Sequence, residues 1–200
     1  MRELRIGDRV LTASALFSSV YFFGHRDADA TAPFYSIATA ANTTLRVTRG
    51  HYVPVSRGGC GSSTLSLTLA AELVRVGDGV LSGRGGTLGC ARVVSIALAP
   101  ARGIYNPYTL SGALVVDGVL ASAHSEWLLE PALRRAGLSP EAVSRAAPFA
   151  YQTLFAPLRA LFYALGAPWS QAAATAAGEA TGFEGITLAS FVRALATASV

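Results

Sequence analysis

The chain has 200 residues, enough for one domain or one domain with a helical appendage; 52% of them are hydrophobic and only 14% are charged. A full core is therefore easily supplied, and the balance is unusually apolar for a free-standing soluble protein. The formal net charge of +4 comes entirely from arginines, scattered singly or in the pair Arg134–Arg135, which argues against a nucleic-acid-binding surface.

The N-terminal segment predicts a β-element with a bend. Leu4–Thr12 reads LRIGDRVLT, in which a Gly–Asp turn separates two short apolar pieces. The charges of MRELRIGDRV lie where a secretory signal has its apolar segment, so these residues do not form one. A chain that begins directly on a strand also suggests that the true N-terminus lies upstream.

Two further strands are predicted before residue 40. β-branched and aromatic residues predict a strand at Ser19–Phe23, which Gly24 ends, and an alternating pattern predicts another at Phe34–Thr39. Between the two strands, polar residues predict a turn (His25, Arg26, Asp27 and Asp29).

The stretch Thr44–Val55, TLRVTRGHYVPV, reads as a strand, a tight break at Arg49–Gly50 and a second extended run. Thr48 and His51 lie three residues apart across that break. Gly50 tolerates backbone angles that other residues do not, so the break can bring a hydroxyl and an imidazole to one side. Taken alone the pair is weak evidence, because a threonine in a strand and a single neighbouring histidine are usually structural.

The two cysteines lie in different surroundings. Cys60 falls in the Gly/Ser-rich loop Ser56–Ser66, and Cys90 begins the apolar strand Cys90–Leu98. Two cysteines are too few for a disulfide framework, and their positions leave one bridge open without implying it.

An internal repeat is the most informative feature of the sequence. Leu4–Leu11 reads LRIGDRVL and Val74–Leu81 reads VRVGDGVL, with five of eight positions identical at an offset of 70 residues. The repeat predicts two copies of one β-subdomain related by a pseudo-two-fold axis, although two similar β-turns could produce part of it. After a turn-rich link at Gly103–Pro107, the Asp117–Gly118 pair between apolar runs predicts a two-residue hairpin.

Helices are expected after Trp127. Glu126–Ala136 has helical character, and Ser139 and Pro140 form a typical helix start. The apolar run Phe149–Leu165 is interrupted by proline and arginine, so a helix pair on the β-domain or on a membrane surface is favoured over a spanning helix. From Gln171 we predict a loose loop and then a short helix (Leu188–Leu195).

Eight blocks of the sequence together carry a family resemblance. In chain order they are RELRIGDRVL, VYFFGHRD, FYSI, LRVTRGHYVPV, AELVRVGDGVL, CARVVSI, GIYNPYTLSGALVVDGVLAS and FAPLRAL. Their order and spacing resemble those of a Hint domain, most of all the self-processing C-terminal domain of hedgehog proteins, whose fold is related to that of inteins. The resemblance runs from Arg2 to about Trp127, with a looser match at Leu154–Phe162.

The resemblance implies a reaction in two steps. A cysteine at the start of the domain attacks the preceding carbonyl and converts a peptide bond into a thioester, and a second nucleophile, a sterol in hedgehog, then releases the upstream segment. Thr48 and His51 match the family's Thr-x-x-His motif, which is expected to polarise the amide and to supply acid/base chemistry.

The chain departs from the family pattern at three positions. The nucleophilic cysteine precedes the block that begins at Arg2, and neither cysteine of this chain is in register to replace it. The acid that activates the sterol falls, 23 residues before Thr48, on His25, with Asp27 as an alternative. The family's Cys-Tyr pair reads Ala123–His124 here, and His124 is expected to face either the cavity or solvent.

The sequence therefore predicts a mainly β, pseudo-two-fold Hint/intein-like domain at residues 1–126 and a helical, apolar appendage at residues 127–200. As written, the chain is expected not to cleave itself, and a fragment lacking its N-terminal strand and nucleophile block is favoured over a degenerate copy. The expected partners are its own upstream segment in cis and a sterol, another alcohol or water as acceptor, with no cofactor.

The alternative is a non-catalytic structural or lipid-binding module that contacts a membrane surface through residues 149–165. By resemblance alone, the compartment would be secretory or membrane-associated.

Overall fold

The computed structural model describes residues 1–13, 15–61, 67–127 and 129–181, with side chains up to residue 175. Within these ranges a block of strands precedes a block of helices. The strands are Arg9–Ala13 (β1), Leu16–Thr39 (β2), Thr44–Thr48 (β3), Tyr52–Ser56 (β4), Leu67–Ala70 (β5), Gly79–Ser82 (β6), Gly89–Thr109 (β7), Ala113–Val116 (β8) and Val119–Ser122 (β9). The helices are Glu130–Arg135 (α1), Pro140–Leu154 (α2) and Ala156–Thr181 (α3), and a 3₁₀ turn spans Ala71–Leu73.

The strands form one antiparallel sheet in the order β1-β2-β7-β6-β4-β5, with β3 paired to β2 and the β8–β9 hairpin joined through β9 to β6. Its centre is the long pairing of β2 with β7. The mainly β fold and the helical C-terminal part predicted from the sequence are both confirmed.

The polar turn predicted at residues 25–29 and the link predicted at Gly103–Pro107 are both wrong, because each segment lies inside a long strand. His25 pairs with Asn106, and Asp27 pairs with Ile104, between bulges that interrupt the register. The Asp27 carboxylate accepts the backbone N–H groups of residues 29 and 30 at 2.8 and 2.9 Å. Residues 25–27 pair with residues 104–106 of β7, and the Asp27 carboxylate holds the bulge that follows. Local sequence patterns do not show pairing between segments so far apart in the chain.

The internal repeat is structural. Asp8 and Asp78 each accept, through Oδ2, the backbone N–H of the arginine three residues earlier, at 2.7 and 2.8 Å. Gly7 and Gly77 each donate to a valine of the long strand that follows, β2 and β7 respectively, at 2.8 and 2.9 Å. Each copy therefore anchors one half of the central ribbon, as the predicted pseudo-two-fold relation requires.

The predicted hairpin at Asp117–Gly118 is confirmed. Val116 pairs with Val119, and the two turn residues both have positive φ, 49° and 81°. This geometry is that of a two-residue turn whose twist matches the flanking strands.

A disulfide joins Cys60 to Cys90, with the Cα atoms 5.6 Å apart. It ties the segment after β4 to the start of β7, across a sequence separation of 30 residues. The bridge that the sequence left open is therefore formed.

We expect the Cys60→Ser/Cys90→Ser double variant to lose about 3 kcal/mol of unfolding free energy, because the unfolded chain regains the entropy of an open loop. Urea denaturation with and without dithiothreitol measures this loss. The reductant should lower the wild-type midpoint to that of the double variant and leave the variant unchanged; a wild-type midpoint insensitive to reductant would contradict the expectation.

The helices begin largely where the sequence predicts. The Ser139 side chain accepts the N–H of Ala142 at 3.3 Å and caps α2, whereas α1 is shorter than predicted. The loose loop predicted from Gln171 is wrong up to Thr181, since α3 continues through an alanine-rich stretch that favours helix. The helix predicted at residues 188–195 lies outside the described residues.

The apolar run 149–165 does not form one straight helix, because α2 ends at Leu154 and α3 begins at Ala156; a further break lies just beyond the run, at Gly166. In the part of the chain with assigned structure, no helix has the length and apolarity to cross a bilayer.

The helices pack on the sheet through an aromatic cluster. It combines strand residues with residues of α2, of α3 and of the link between them, all nearly inaccessible (Tyr21, Phe22, Tyr52, Tyr108, Tyr151, Phe155 and Leu158). A second cluster, mainly of valine and leucine, fills the space between β3, β4, β6 and β9. The helical segment therefore completes the core behind β4, the strand that begins next to His51.

Candidate active site

A cavity of about 310 Å³ lies at the junction of β2, β3 and β7. Thr48, His51 and His25 all line it, so the three site residues predicted from the sequence lie around one space. Asp27, the alternative to His25, does not line it. The cavity is also lined by Asn106, Ser125, Glu126 and Trp127.

The turn between β3 and β4 positions Thr48 and His51. The backbone N–H of His51 donates to the carbonyl of Thr48 at 3.1 Å, which closes the turn. Gly50 is required for space rather than for an unusual φ: a Cβ there would lie 2.9 Å from Cβ of Glu126. The chain of residues 125–126 thus packs directly against the turn.

His51 is held from two sides. Its backbone forms an isolated β-bridge with Ser125, and its Nε2 lies 2.8 Å from the carbonyl oxygen of Ser122. Because a carbonyl oxygen only accepts, Nε2 carries a proton, and in the neutral ring Nδ1 has the free electron pair. Burial lowers the pKa of His51, and the hydrogen bond to Ser122 opposes that shift. The imidazole is therefore neutral near pH 7, with Nδ1 as the atom able to take up or return a proton.

His25 faces the cavity from β2, opposite Asn106 of β7. The Asn106 side chain donates through Nδ2 to Oγ of Ser125 at 3.3 Å, which links this strand pair to the segment that supports His51. The Asp27 carboxylate is instead occupied by two backbone N–H groups, which lower its pKa.

His124 faces neither the cavity nor solvent, so both expectations for it are wrong. Its side chain is 1% exposed and stacks on Tyr151 and Phe155, with ring centroids 5.8 and 6.2 Å away. Nε2 lies 3.0 Å from Oε1 of Gln152, while Nδ1 has no hydrogen-bond partner among the described residues. The ring serves as a core aromatic residue, which burial keeps uncharged.

We expect His124 to make the fold acid-sensitive. Burial lowers its pKa from 6.5 to about 4, so between these values the unfolded chain binds more protons than the folded one. Stability should then fall as the pH drops through this window, by about 3 kcal/mol in total. Urea denaturation at several pH values between 7 and 4 measures the loss.

In that series His124→Phe should flatten much of the pH dependence, leaving the part contributed by His51. Phe149→Ser, which changes an exposed side chain without a titratable group, should keep the wild-type slope. An unchanged slope in His124→Phe would show that the acid sensitivity originates elsewhere.

Four site residues were missed by the sequence interpretation: Ser122, Ser125, Glu126 and Trp127. Ser122 ends β9 and contacts His51 through its carbonyl, and the other three follow β9 and line the cavity, because the β8–β9 hairpin returns the chain to the β3–β4 turn. The only local signal was the polar pair Ser125–Glu126, three residues after the end of an apolar strand. The described residues contain no group of three or more potential metal ligands.

The chain matches the family model of the Hint module over residues 1–143. It is 31% identical to Warthog protein 6 of Caenorhabditis elegans over 134 residues, which is 65% of this chain and 22% of that protein. It is 28% identical to Protein hedgehog of Drosophila virilis over 144 residues, 70% of this chain and 29% of that protein. The chain thus spans less than a third of either relative.

Solved structures of inteins are similar to this chain. The gp41-1 intein superposes with a TM-score of 0.46 and 12% identity, covering 60% of this chain and 83% of that one. The KlbA intein precursor of Methanococcus jannaschii has a TM-score of 0.41 and 22% identity, covering 52% of this chain and 55% of that one.

Proposed function

The chain belongs to the Hint module family, and on this premise we propose that it is a self-processing domain of the hedgehog type. In the first step a cysteine thiol upstream of this chain attacks the carbonyl carbon of the residue before it. The C–N bond breaks, a C–S bond forms, and the freed amine takes up a proton. In the second step another nucleophile attacks the thioester and releases the upstream segment.

The observation that carries this proposal is the common cavity of Thr48 and His51. The Ser122 carbonyl fixes the ring of His51 with Nε2 protonated, and its lowered pKa leaves Nδ1 unprotonated near neutral pH. A neutral, oriented imidazole can take the thiol proton and return it to the departing nitrogen. The Thr48 hydroxyl, at the end of β3, suits a hydrogen bond to the amide being cleaved.

A fusion protein tests the proposal. A reporter domain is joined to the cysteine-containing N-terminal block of a hedgehog relative, which is joined in turn ahead of Met1. Hydroxylamine, which cleaves thioesters without reducing the disulfide, should release the reporter, and electrophoresis with mass spectrometry should find its C-terminus as a hydroxamate. If a folded fusion yields no hydroxylamine-dependent release, the proposed function fails.

A second candidate function, a module that contacts a membrane surface, is favoured by one observation. Three large apolar side chains of α2 and α3 are strongly exposed: Phe149 at 78%, Tyr163 at 73% and Leu165 at 51%. We expect the chain to sediment with phosphatidylcholine–cholesterol vesicles, and the Phe149→Ser/Tyr163→Ser/Leu165→Ser variant to remain in the supernatant. Leu98→Ser, which removes an equally exposed side chain on β7, is the control and should sediment like the wild type.

A further inference from the structure

We propose that Glu126 is a further catalytic residue of this domain, the general base that takes the proton of the nucleophile in the second step. This inference rests on the proposed function, since it needs a thioester to act on. It assigns a carboxylate to a position that follows the β8–β9 hairpin, away from the strand that holds His25.

Glu126 is fixed against the turn that positions Thr48 and His51. Its backbone N–H donates to the carbonyl of Gly50 at 2.8 Å, and its Cγ and Oε2 would lie 3.1 and 3.3 Å from a Cβ on that glycine. It lines the cavity together with Thr48 and His51, and only 20% of its side chain is exposed. The carboxylate therefore lies beside the groups proposed for the first step.

One oxygen of this carboxylate is held and the other is available. Oε1 accepts from the guanidinium of Arg134, while Oε2 has no hydrogen-bond donor among the residues that the structure describes. The ion pair orients the carboxylate from α1 without occupying both oxygens. Oε2 is thus the atom that can accept a proton from a nucleophile in the cavity.

The surroundings of Glu126 favour a stronger base than an ordinary glutamate. Burial raises its pKa most, Glu130 of α1 and Glu72 of the 3₁₀ turn raise it further, and Arg134 lowers it. The Arg49 guanidinium is occupied by Glu72 at 2.7 Å. A carboxylate with a raised pKa abstracts protons more effectively near neutral pH, provided that it is still ionised.

The two steps then use different bases. His51 exchanges protons through Nδ1 alone, because Nε2 is bound to Ser122. In the second step the nucleophile's oxygen forms a bond to the thioester carbonyl carbon as its proton passes to Glu126. The C–S bond breaks, and the departing sulfur takes up that proton from Glu126. With water as the nucleophile the products are a carboxylic acid and a thiol. With an alcohol they are an ester and a thiol.

The fusion protein separates this inference from the proposed function. Hydroxylamine reports thioester formation and needs no base, whereas release in buffer alone, or with added cholesterol in detergent, requires activation of a hydroxyl group. Glu126→Gln should keep hydroxylamine-dependent release within about twofold of wild type and slow hydroxyl-dependent release by about 100-fold or more. Glu141→Gln, which removes an acid from the start of α2, should match wild type in both.

The outcomes are distinguishable. If Glu126→Gln leaves hydroxyl-dependent release unchanged, or slows both reactions equally, Glu126 is not the base. A selective loss of hydroxyl-dependent release in His25→Gln would instead assign the role to His25. If wild type shows no hydroxylamine-dependent release, the proposed function fails and this inference falls with it.

A second variant guards against a purely structural effect. Arg134→Gln removes the group that lowers the pKa of Glu126, so the ionised carboxylate should appear only at higher pH. The rising limb of the pH profile for hydroxyl-dependent release should then shift upwards, while the profile for hydroxylamine-dependent release stays in place. A profile that keeps its position in Arg134→Gln would overturn the inference.

Discussion

In the fusion protein, His51→Ala should lower hydroxylamine-dependent release of the reporter by about 100- to 10,000-fold, the usual contribution of a positioned acid/base group. The ring is oriented by the Ser122 carbonyl, and the turn that carries it is closed by its own N–H to Thr48. Removing the imidazole leaves the amine that departs in the first step without a proton donor. Rates of release, followed by gel densitometry, measure the effect.

A threonine pair supplies the matched control for this site. Thr48 and Thr44 lie at opposite ends of β3, but only Thr48 lines the cavity. Thr48→Ala should slow thioester formation, whereas Thr44→Ala should leave it near the wild-type rate. If His51→Ala and wild type release the reporter at equal rates, and circular dichroism shows that both are folded, then Thr48 and His51 have only a structural role.

Glu130→Ala should destabilise the fold by about 3–5 kcal/mol, a large share of the stability of a domain of this size. The carboxylate is 3% exposed and accepts the Tyr52 hydroxyl at 2.5 Å, the Tyr151 hydroxyl at 2.7 Å and the Trp127 backbone N–H at 2.9 Å. Its removal leaves buried donors of β4 and α2 without their acceptor. Urea denaturation monitored by circular dichroism gives the loss.

A mutant cycle separates lost hydrogen bonds from lost packing at Glu130. In a Tyr52→Phe/Tyr151→Phe background the two hydroxyl donors are already absent, so Glu130→Ala should cost clearly less than in wild type. Glu141→Ala, a partly exposed acid in the first turn of α2, should change stability by less than about 1 kcal/mol. An equal cost in both backgrounds would mean that the carboxylate does not couple strand to helix.

This network bears on where the domain ends. Tyr52 adjoins His51, and its hydroxyl donates to a helix residue beyond the boundary predicted at residue 126. A chain cut at that boundary would lose Glu130, Tyr151 and Phe155, and with them much of the aromatic cluster. The division into residues 1–126 and 127–200 stays a prediction, and the stability of the shortened chain would test it.

Local patterns and the repeat are sufficient to predict much of this protein. Some features depend only on residues close in sequence and can be predicted from it. They are the equivalent turns at Asp8 and Asp78, the hairpin at Asp117–Gly118 and the cap at Ser139. Thr48 and His51 share a cavity because a short turn joins them, and their role in the site stays a prediction. Each of these features is encoded within a few residues.

Other features depend on partners that are distant in sequence. The continuity of β2 through His25–Asp27 comes from pairing with β7, and the Cys60–Cys90 bridge comes from the packing of two separate segments. His124 is buried because α2 covers it, which no pattern around residue 124 shows. Propensity describes a residue's neighbours along the chain, whereas burial and cross-strand pairing are set by neighbours in space.

The sequence by itself determined the fold class, the duplicated β-turn and the family whose Thr-x-x-His motif Thr48 and His51 match. These features depend on short contiguous motifs. Only the tertiary structure decided what surrounds that pair: a carbonyl from Ser122 that orients the imidazole, and the carboxylate of Glu126 against Gly50. Both come from a segment more than 70 residues further along the chain. They reach the site because antiparallel pairing through the β8–β9 hairpin folds that segment back onto the turn.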